Sequence, residues 1–266
     1  AGHPADMDRL REIAQNHNLH LVEDSAHAHG SEWKGHKIGA IGDVGTFSFQ
    51  QSKLMTAGEG GIIITNDDEI ERLARSTHDC GRMPGEWFYD HFVYGSNYRL
   101  SEWQGAILSQ QLKRLPDQTE RRSHNAAFLD HTLAEIEGIT PQVTDPRCTV
   151  NGHYAYIFHY EKQAFSNIPT ERFIEAFNAE GIPTQASYPP LHDLDVFKSG
   201  EYRKRLSGGQ EQSEHAFMQA EFQNTMKGAW ETVWLPQPAL LGTQEDMKLI
   251  VEAIQKIQAN ASQLQT

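Results

Sequence analysis

The residue with the most chemical promise is Lys53, the single charged side chain in the stretch from Val44 to Gly58. Lysines mostly face water, so by type alone Lys53 reads as a surface residue. Its neighbours point elsewhere. Ser48 and Ser52 offer hydroxyls suited to a phosphate, and Gly58, Gly60 and Gly61 let backbone approach a ligand closely. Asp24 is the second candidate, at the end of the apolar run Leu19-His-Leu-Val-Glu-Asp24. A carboxylate there is either a helix N-cap or a buried charge, and a buried one needs a cationic partner such as a protonated pyridine nitrogen. His27 and His29 share one side of an extended segment, which invites a metal reading and a metal-dependent hydrolase. That reading is weak, because no HExxH or CxxC accompanies them and no third ligand can be placed. No metal is therefore expected. Asn97-Tyr98-Arg99 puts an amide and a guanidinium at a helix entrance, where they hold an anion or merely satisfy a loop. Tyr188-Pro-Pro-Leu-His192 is a rigid turn whose aromatic and imidazole either wall a pocket or serve the fold.

The elements that must position these residues follow from pattern. Residues 4–17 read as a helix with Met7, Leu10, Ile13 and Ala14 on one face, and residues 19–24 as a strand buried in a sheet. Gly-rich residues 30–45 read as turns or a short hairpin. Gly45–Phe49 and Gly61–Thr65 read as strands flanking the Lys53 loop, and Asp67–Ser76 as a helix. Ser101-Glu-Trp-Gln104 matches a capping box that opens a long helix with Trp103, Ile107, Leu108, Leu112 and Leu115 on one face. Beyond Gly138, the run Tyr154–Tyr160 is of strand type, and Thr170 opens a helix with Phe173, Ile174 and Phe177 inward and Gly181 as its stop. Residues 183–188 and 233–235 are further strands. Thr243-Gln-Glu-Asp246 caps a closing helix carrying Met247, Ile250, Val251, Ile254 and Ile257. The predicted organisation is a large domain over 1–115, a connecting helix over 116–136, and a smaller α+β domain over 137–266.

Composition narrows the function classes. The 266 residues carry 23 Lys and Arg against 36 Asp and Glu, a net charge of −13, so phosphate backbones and acidic lipids are repelled. Nucleic acid is not an expected partner. No segment approaches the roughly 20 apolar residues of a spanning helix, so no membrane partner is expected either. Two cysteines, Cys80 and Cys148, are too few for a disulfide framework or a thiolate cluster, which makes the cytoplasm the default compartment.

Four segments occur in an order that belongs together: VEDSAHAHG at 22–30, GDVGTFSFQQSK at 42–53, GEGG at 58–61 and YGSNYRLSEWQ at 94–104. With them the chain resembles, over its whole length, the DegT/DnrJ/EryC1/StrS family of pyridoxal 5'-phosphate (PLP) aminotransferases. The resemblance implies the α/β PLP-dependent transferase fold of type I, aspartate aminotransferase-like: a large domain with a mostly parallel sheet and a small C-terminal α+β domain. It implies a reaction in which an amino group passes from Glu or Gln to a keto sugar, often nucleotide-linked, or a keto cyclitol. Lys53 matches the lysine that bonds the cofactor, Asp24 the carboxylate under the pyridinium nitrogen, Ser48 a phosphate ligand, and Asn97 a residue reaching the phosphate of a neighbouring subunit. His27 stands where most members have Gln, a departure associated with keto-cyclitol substrates. A homodimer with shared active sites is implied, with Arg99, Tyr188 and His192 as substrate-side candidates. Members also carry an additional N-terminal segment that contacts the cofactor. The sequence therefore reads as N-terminally incomplete, and weak PLP binding is expected of these residues alone. The rival of another class is a family member that keeps the fold without turnover and acts as a regulator or binding protein.

Overall fold

The computed structural model describes residues 1–199 and 222–264. Along the chain its elements are α1 (Met7–Asn16), β1 (Val22–Asp24), β2 (Glu32–Trp33), β3 (His36–Lys37), β4 (Val44–Ser48), β5 (Gly61–Thr65), α2 (Asp68–His78), α3 (Glu102–Leu133), β6 (Ile139–Pro141), β7 (Cys148–Val150), β8 (Ala155–Tyr160), α4 (Thr170–Ala179), β9 (Gln185–Ala186), α5 (Asp195–Lys198), α6 (Gln223–Trp230), β10 (Thr232–Pro236) and α7 (Gln244–Ala259). They form two compact units, one of residues 1–127 and 143–155 and the other of residues 128–142 and 156–266. The unit boundary falls inside α3, and residues 143–155 return to the first unit, where the sequence reading placed all of 137–266 in the second. The return is made by β7, which pairs with β2.

In the first unit, β4 is central to a three-stranded sheet, parallel to β1 on one side and antiparallel to β5 on the other. The β2–β3 hairpin turns through Lys34 and Gly35, both at positive φ (50° and 79°), the twist a two-residue hairpin loop needs. Helix α1 starts later than Pro4 because the Asp6 carboxylate accepts from Arg9 N (3.1 Å) and caps it. Its apolar face is only partly used: Met7 is buried, while Leu10 and Ile13 are exposed. Strand β1 departs further from expectation. Val22 and Asp24 point outward and are exposed, and Glu23 is the buried residue, because β1 forms one edge of the sheet and alternation exposes its other face.

The reciprocal cap at Ser101 and Gln104 is present, with Ser101 N donating to Gln104 Oε1 (3.0 Å) and Gln104 N to Ser101 Oγ (3.4 Å). The apolar face predicted for α3 is not buried as a whole: Leu108 is, but Trp103, Ile107 and Leu112 are exposed.

The second unit packs a four-stranded sheet, in the order β6-β8-β10-β9, with α4 and α7. Phe158, Tyr160, Phe173 and Phe177 are fully buried, and Tyr160 and Phe173 meet at 4.5 Å. Gly181 ends α4 at φ 87°. The Thr243–Asp246 capping box opens α7, whose Met247, Ile250, Val251, Ile254 and Ile257 all face inward.

Candidate active site

The Lys53 loop is held from both ends. Lys53 N donates to Gln50 O (2.9 Å), Thr56 Oγ1 and Ala57 N both donate to Phe49 O (2.9 and 3.1 Å), and Leu54 and Met55 are buried beside it. Phe49 and Met55 pack with Leu108 of α3 into a small core cluster. Two buried apolar anchors directly after Lys53 thus fix where its stem emerges. The Lys53 residue is half-buried, and its amine makes no ion pair among the described residues and lies 4.8 Å from the ring centroid of Tyr154.

Tyr154 draws the rest of the site together. The His27 ring stacks on it at 3.8 Å and 14°, and its hydroxyl is 2.9 Å from Ser52 Oγ. His153, immediately before it, has φ 51°, and the backbone of Gly152 passes so close that a Cβ there would lie 2.7 Å from His29 O. This tight Asn-Gly-His turn delivers Tyr154 to the Lys53 loop just ahead of β8. The sequence reading took Tyr154 as part of a strand. The signal it carried was the Asn151-Gly152 turn before the run.

Asp24 neither caps a helix nor is buried. It is exposed and accepts from Ala26 N (3.1 Å) in a turn, close enough for its charge to act on His27. Ser48 ends β4 and accepts from Gln50 N (3.3 Å). Asn97 bridges to Asp79, and its Oδ1 accepts from Arg99 N (3.3 Å) and Nε (3.0 Å), while Arg99 also pairs with Asp79 (2.9 Å). The satisfied-loop reading of Arg99 is therefore the one observed. Tyr188 and His192 belong to the second unit, where Tyr188 meets Trp234 edge-on (5.2 Å) and His192 meets Phe222 (5.0 Å). A cleft of about 330 Å³ lies elsewhere in the first unit, lined by residues such as Arg75, Arg82, Trp87 and Phe88 and by none of those around Lys53.

The His29 ring lies against Phe47 (5.1 Å) and Phe49 (6.1 Å). Among the described residues no three His, Cys, Asp or Glu side chains converge as metal ligands. Burial, aided by the charge of Lys53, holds His27 and His29 at about 4, and burial with Arg122 nearby does the same for His153. All three imidazoles are thus neutral at pH 7. An unfolded chain takes up protons on them as pH falls below about 6.5, whereas the native state does so only near 4. These imidazoles should therefore add no pH dependence above about pH 6.5 and lower native stability as pH falls from there towards 4. His29, nearly excluded from water, contributes up to about 3 kcal/mol of this. Urea midpoints measured from pH 8 to pH 4 check this, and an unchanged midpoint across that window would contradict it.

These donors fit PLP. An amine without a carboxylate partner among the described residues is available to a carbonyl, a turn carboxylate stands near a neutral imidazole, and Ser52 Oγ bonds the hydroxyl of the Tyr154 ring over which the amine lies.

Comparison with known proteins gives the family. The sequence model described as the DegT/DnrJ/EryC1/StrS aminotransferase family matches residues 1–255. L-glutamine:2-deoxy-scyllo-inosose aminotransferase of Streptoalloteichus tenebrarius is 38% identical over 265 residues, 95% of this chain and 62% of the relative. The 3-amino-5-hydroxybenzoate synthase of Amycolatopsis mediterranei is 34% identical over 98% of this chain and 65% of its own length. A crystal structure of 3-amino-5-hydroxybenzoic acid synthase superposes with a TM-score of 0.84 at 32% identity, covering 98% of this chain and 66% of that one. The fold is thus that of the type I PLP-dependent transferases, and the chain spans less than two thirds of the length of these relatives.

Proposed function

We propose that this chain, which belongs to the DegT/DnrJ/EryC1/StrS aminotransferase family, binds PLP at Lys53 and moves an amino group from glutamine to a keto cyclitol, a keto sugar being the second substrate class. The observation that carries the reading is Lys53, a half-buried residue whose amine is free of any ion pair among the described residues and beside a neutral imidazole. The substrate class and donor are suggested by the relatives, whose names specify L-glutamine and 2-deoxy-scyllo-inosose. When bound, PLP supplies an electron-withdrawing ring that stabilises negative charge on the substrate carbon.

The chain's own residues would do the following. Lys53 offers the nucleophilic amine and, once free, shuttles a proton between substrate and cofactor carbons. Asp24 would accept from the protonated ring nitrogen, its carboxylate accepting, among the described residues, from Ala26 N. Neutral His27 would serve as a hydrogen-bond partner of the phenolic oxygen, and Ser48 would donate to the phosphate. Asn97 donates its amide N–H groups to the phosphate of a second subunit, its Oδ1 being taken by Arg99. Arg99 therefore acts by orienting Asn97, while Tyr188 and His192 are kept as substrate-side residues. A homodimer is supported by the 87–112 strip of the chain, where the large apolar side chains of Trp87, Phe88, Tyr94, Tyr98, Trp103 and Leu112 are each more than half exposed.

Amino transfer from glutamine labelled with ¹⁵N at its α-amino group to a keto cyclitol, followed by mass spectrometry, tests the reading. In that assay Asp24→Asn is expected to lower turnover roughly 100-fold or more while shifting the PLP concentration for half-saturation far less. Equal losses in both would remove Asp24 from this role.

A further inference from the structure

The roles above leave Tyr154 without an assignment, although three side chains of the site close on it. Lys53 Nζ lies 4.8 Å from its ring centroid, the His27 ring stacks on it at 3.8 Å, and Ser52 Oγ is 2.9 Å from its hydroxyl. The Ser52 hydroxyl itself donates to Gln50 Oε1 (2.6 Å), so the phenol is the donor in the Tyr154–Ser52 bond. The ring is thus held by its hydroxyl at one end and by imidazole stacking on a face. Its π-electrons attract a cation, and no carboxylate among the described residues competes for Lys53.

We propose that the Tyr154 ring is the resting station of the free Lys53 amine. The side chain lies over this ring whenever it carries no covalent bond, and Tyr154 acts as a positioning residue for the amine. The proposal rests on the reading of Lys53 as the residue that bonds and releases PLP. Release frees a long, flexible stem with many rotamers, and a fixed aromatic face near its root keeps the amine where it must next act.

The test uses ¹³C-labelled lysine in the cofactor-free chain, with Lys53→Arg to identify the Lys53 resonance. That resonance is expected upfield of the other lysines through the ring current of Tyr154. Tyr154→Phe keeps the displacement because the ring remains, and Tyr154→Leu loses it; thermal unfolding confirms that both variants fold. Trapping gives the second readout. Lys53 Nζ joins the PLP aldehyde carbon with loss of one water, and borohydride then delivers hydride to that carbon, so the Lys53 peptide gains a fixed mass. Without its resting place the free amine is disfavoured, so Tyr154→Leu should be trapped at PLP concentrations roughly 2- to 30-fold lower than Tyr154→Phe. A wild-type Lys53 resonance coincident with exposed lysines overturns the proposal. So does a Tyr154→Leu chain that needs more PLP than Tyr154→Phe, since the ring would then be holding the cofactor. An upfield Lys53 with no trapping at any PLP concentration instead defeats the PLP reading of Lys53 and still supports the contact with Tyr154.

Discussion

Lys53→Ala is expected to abolish borohydride-dependent attachment of PLP to the chain and to lower amino transfer by roughly 10²–10⁴-fold or more, the range associated with losing a positioned proton-transfer group. Other lysines keep different company. Lys34 is paired with Asp8 at 2.6 Å, Lys37 with Glu32 at 2.6 Å, and Lys256 with Glu180 at 2.7 Å, so each amine is held as a cation by a carboxylate. Lys53 has no carboxylate partner among the described residues and lies over an aromatic ring, a far weaker hold on its position. Lys53→Arg divides charge from nucleophilicity. A guanidinium keeps the positive charge and part of the reach but is not deprotonated in proteins, so it cannot bond a carbonyl carbon. Both variants should lose attachment equally, read by peptide mass after reduction at high PLP. Attachment persisting in Lys53→Ala, with the mass on another lysine, would remove the basis for the proposed chemistry.

Glu23→Ala is expected to be the most destabilising single change in the first unit, at roughly 3–6 kcal/mol. Glu23 is 6% exposed and accepts three backbone bonds, from Gly39 N (2.7 Å) at Oε2 and from Ile41 N and Gly42 N (2.6 Å each) at Oε1. Removing the carboxylate strands three amides, each costing about 1–3 kcal/mol when left unpaired away from water. Glu23→Gln is the informative companion. It keeps one acceptor oxygen but turns an NH₂ group towards an N–H donor, so it should recover only part of the loss. Urea midpoints of the three proteins measure this order, and a Glu23→Ala cost below about 1 kcal/mol would mean that water already serves these amides. The clamp ties the end of β1, and hence Asp24, to the 39–42 loop, so the same variant should disturb the turn that Asp24 forms with Ala26.

The contrast between Glu23 and Asp24 shows which information is local in this chain. Helix starts are legible because the donor and acceptor are within a few residues: Asp67 accepts from Glu69 N and Ile70 N, and Thr243 exchanges bonds with Asp246. The inward face of α7 and the aromatic face of α4 are likewise written in a 3.6-residue period. Two adjacent carboxylates at a strand end, however, do not say which one points inward. That depends on the pairing of Val22–Asp24 with Val44–Thr46 and on the amides that residues 39–42 happen to present. Tyr154 was missed for the same reason, since its partners His27, Ser52 and Lys53 are about a hundred residues or more away. The face of α3 was misjudged because an apolar stripe does not reveal whether anything within the same chain covers it. Lys53 was legible because an amine alone in an uncharged, glycine-bounded segment is rare, and because four motifs share one order.

Four of the five tryptophans divide sharply by environment: Trp33 and Trp234 are 2% and 8% exposed, while Trp87 and Trp103 are 67% and 84% exposed, with Trp230 between them at 44%. Indole emission reddens with hydration, so the chain carries its own optical gauge of whatever comes to lie over the 87–112 strip. Trp33 and Trp234 supply an internal reference, and Trp87 and Trp103 turn blue as water is displaced from the strip.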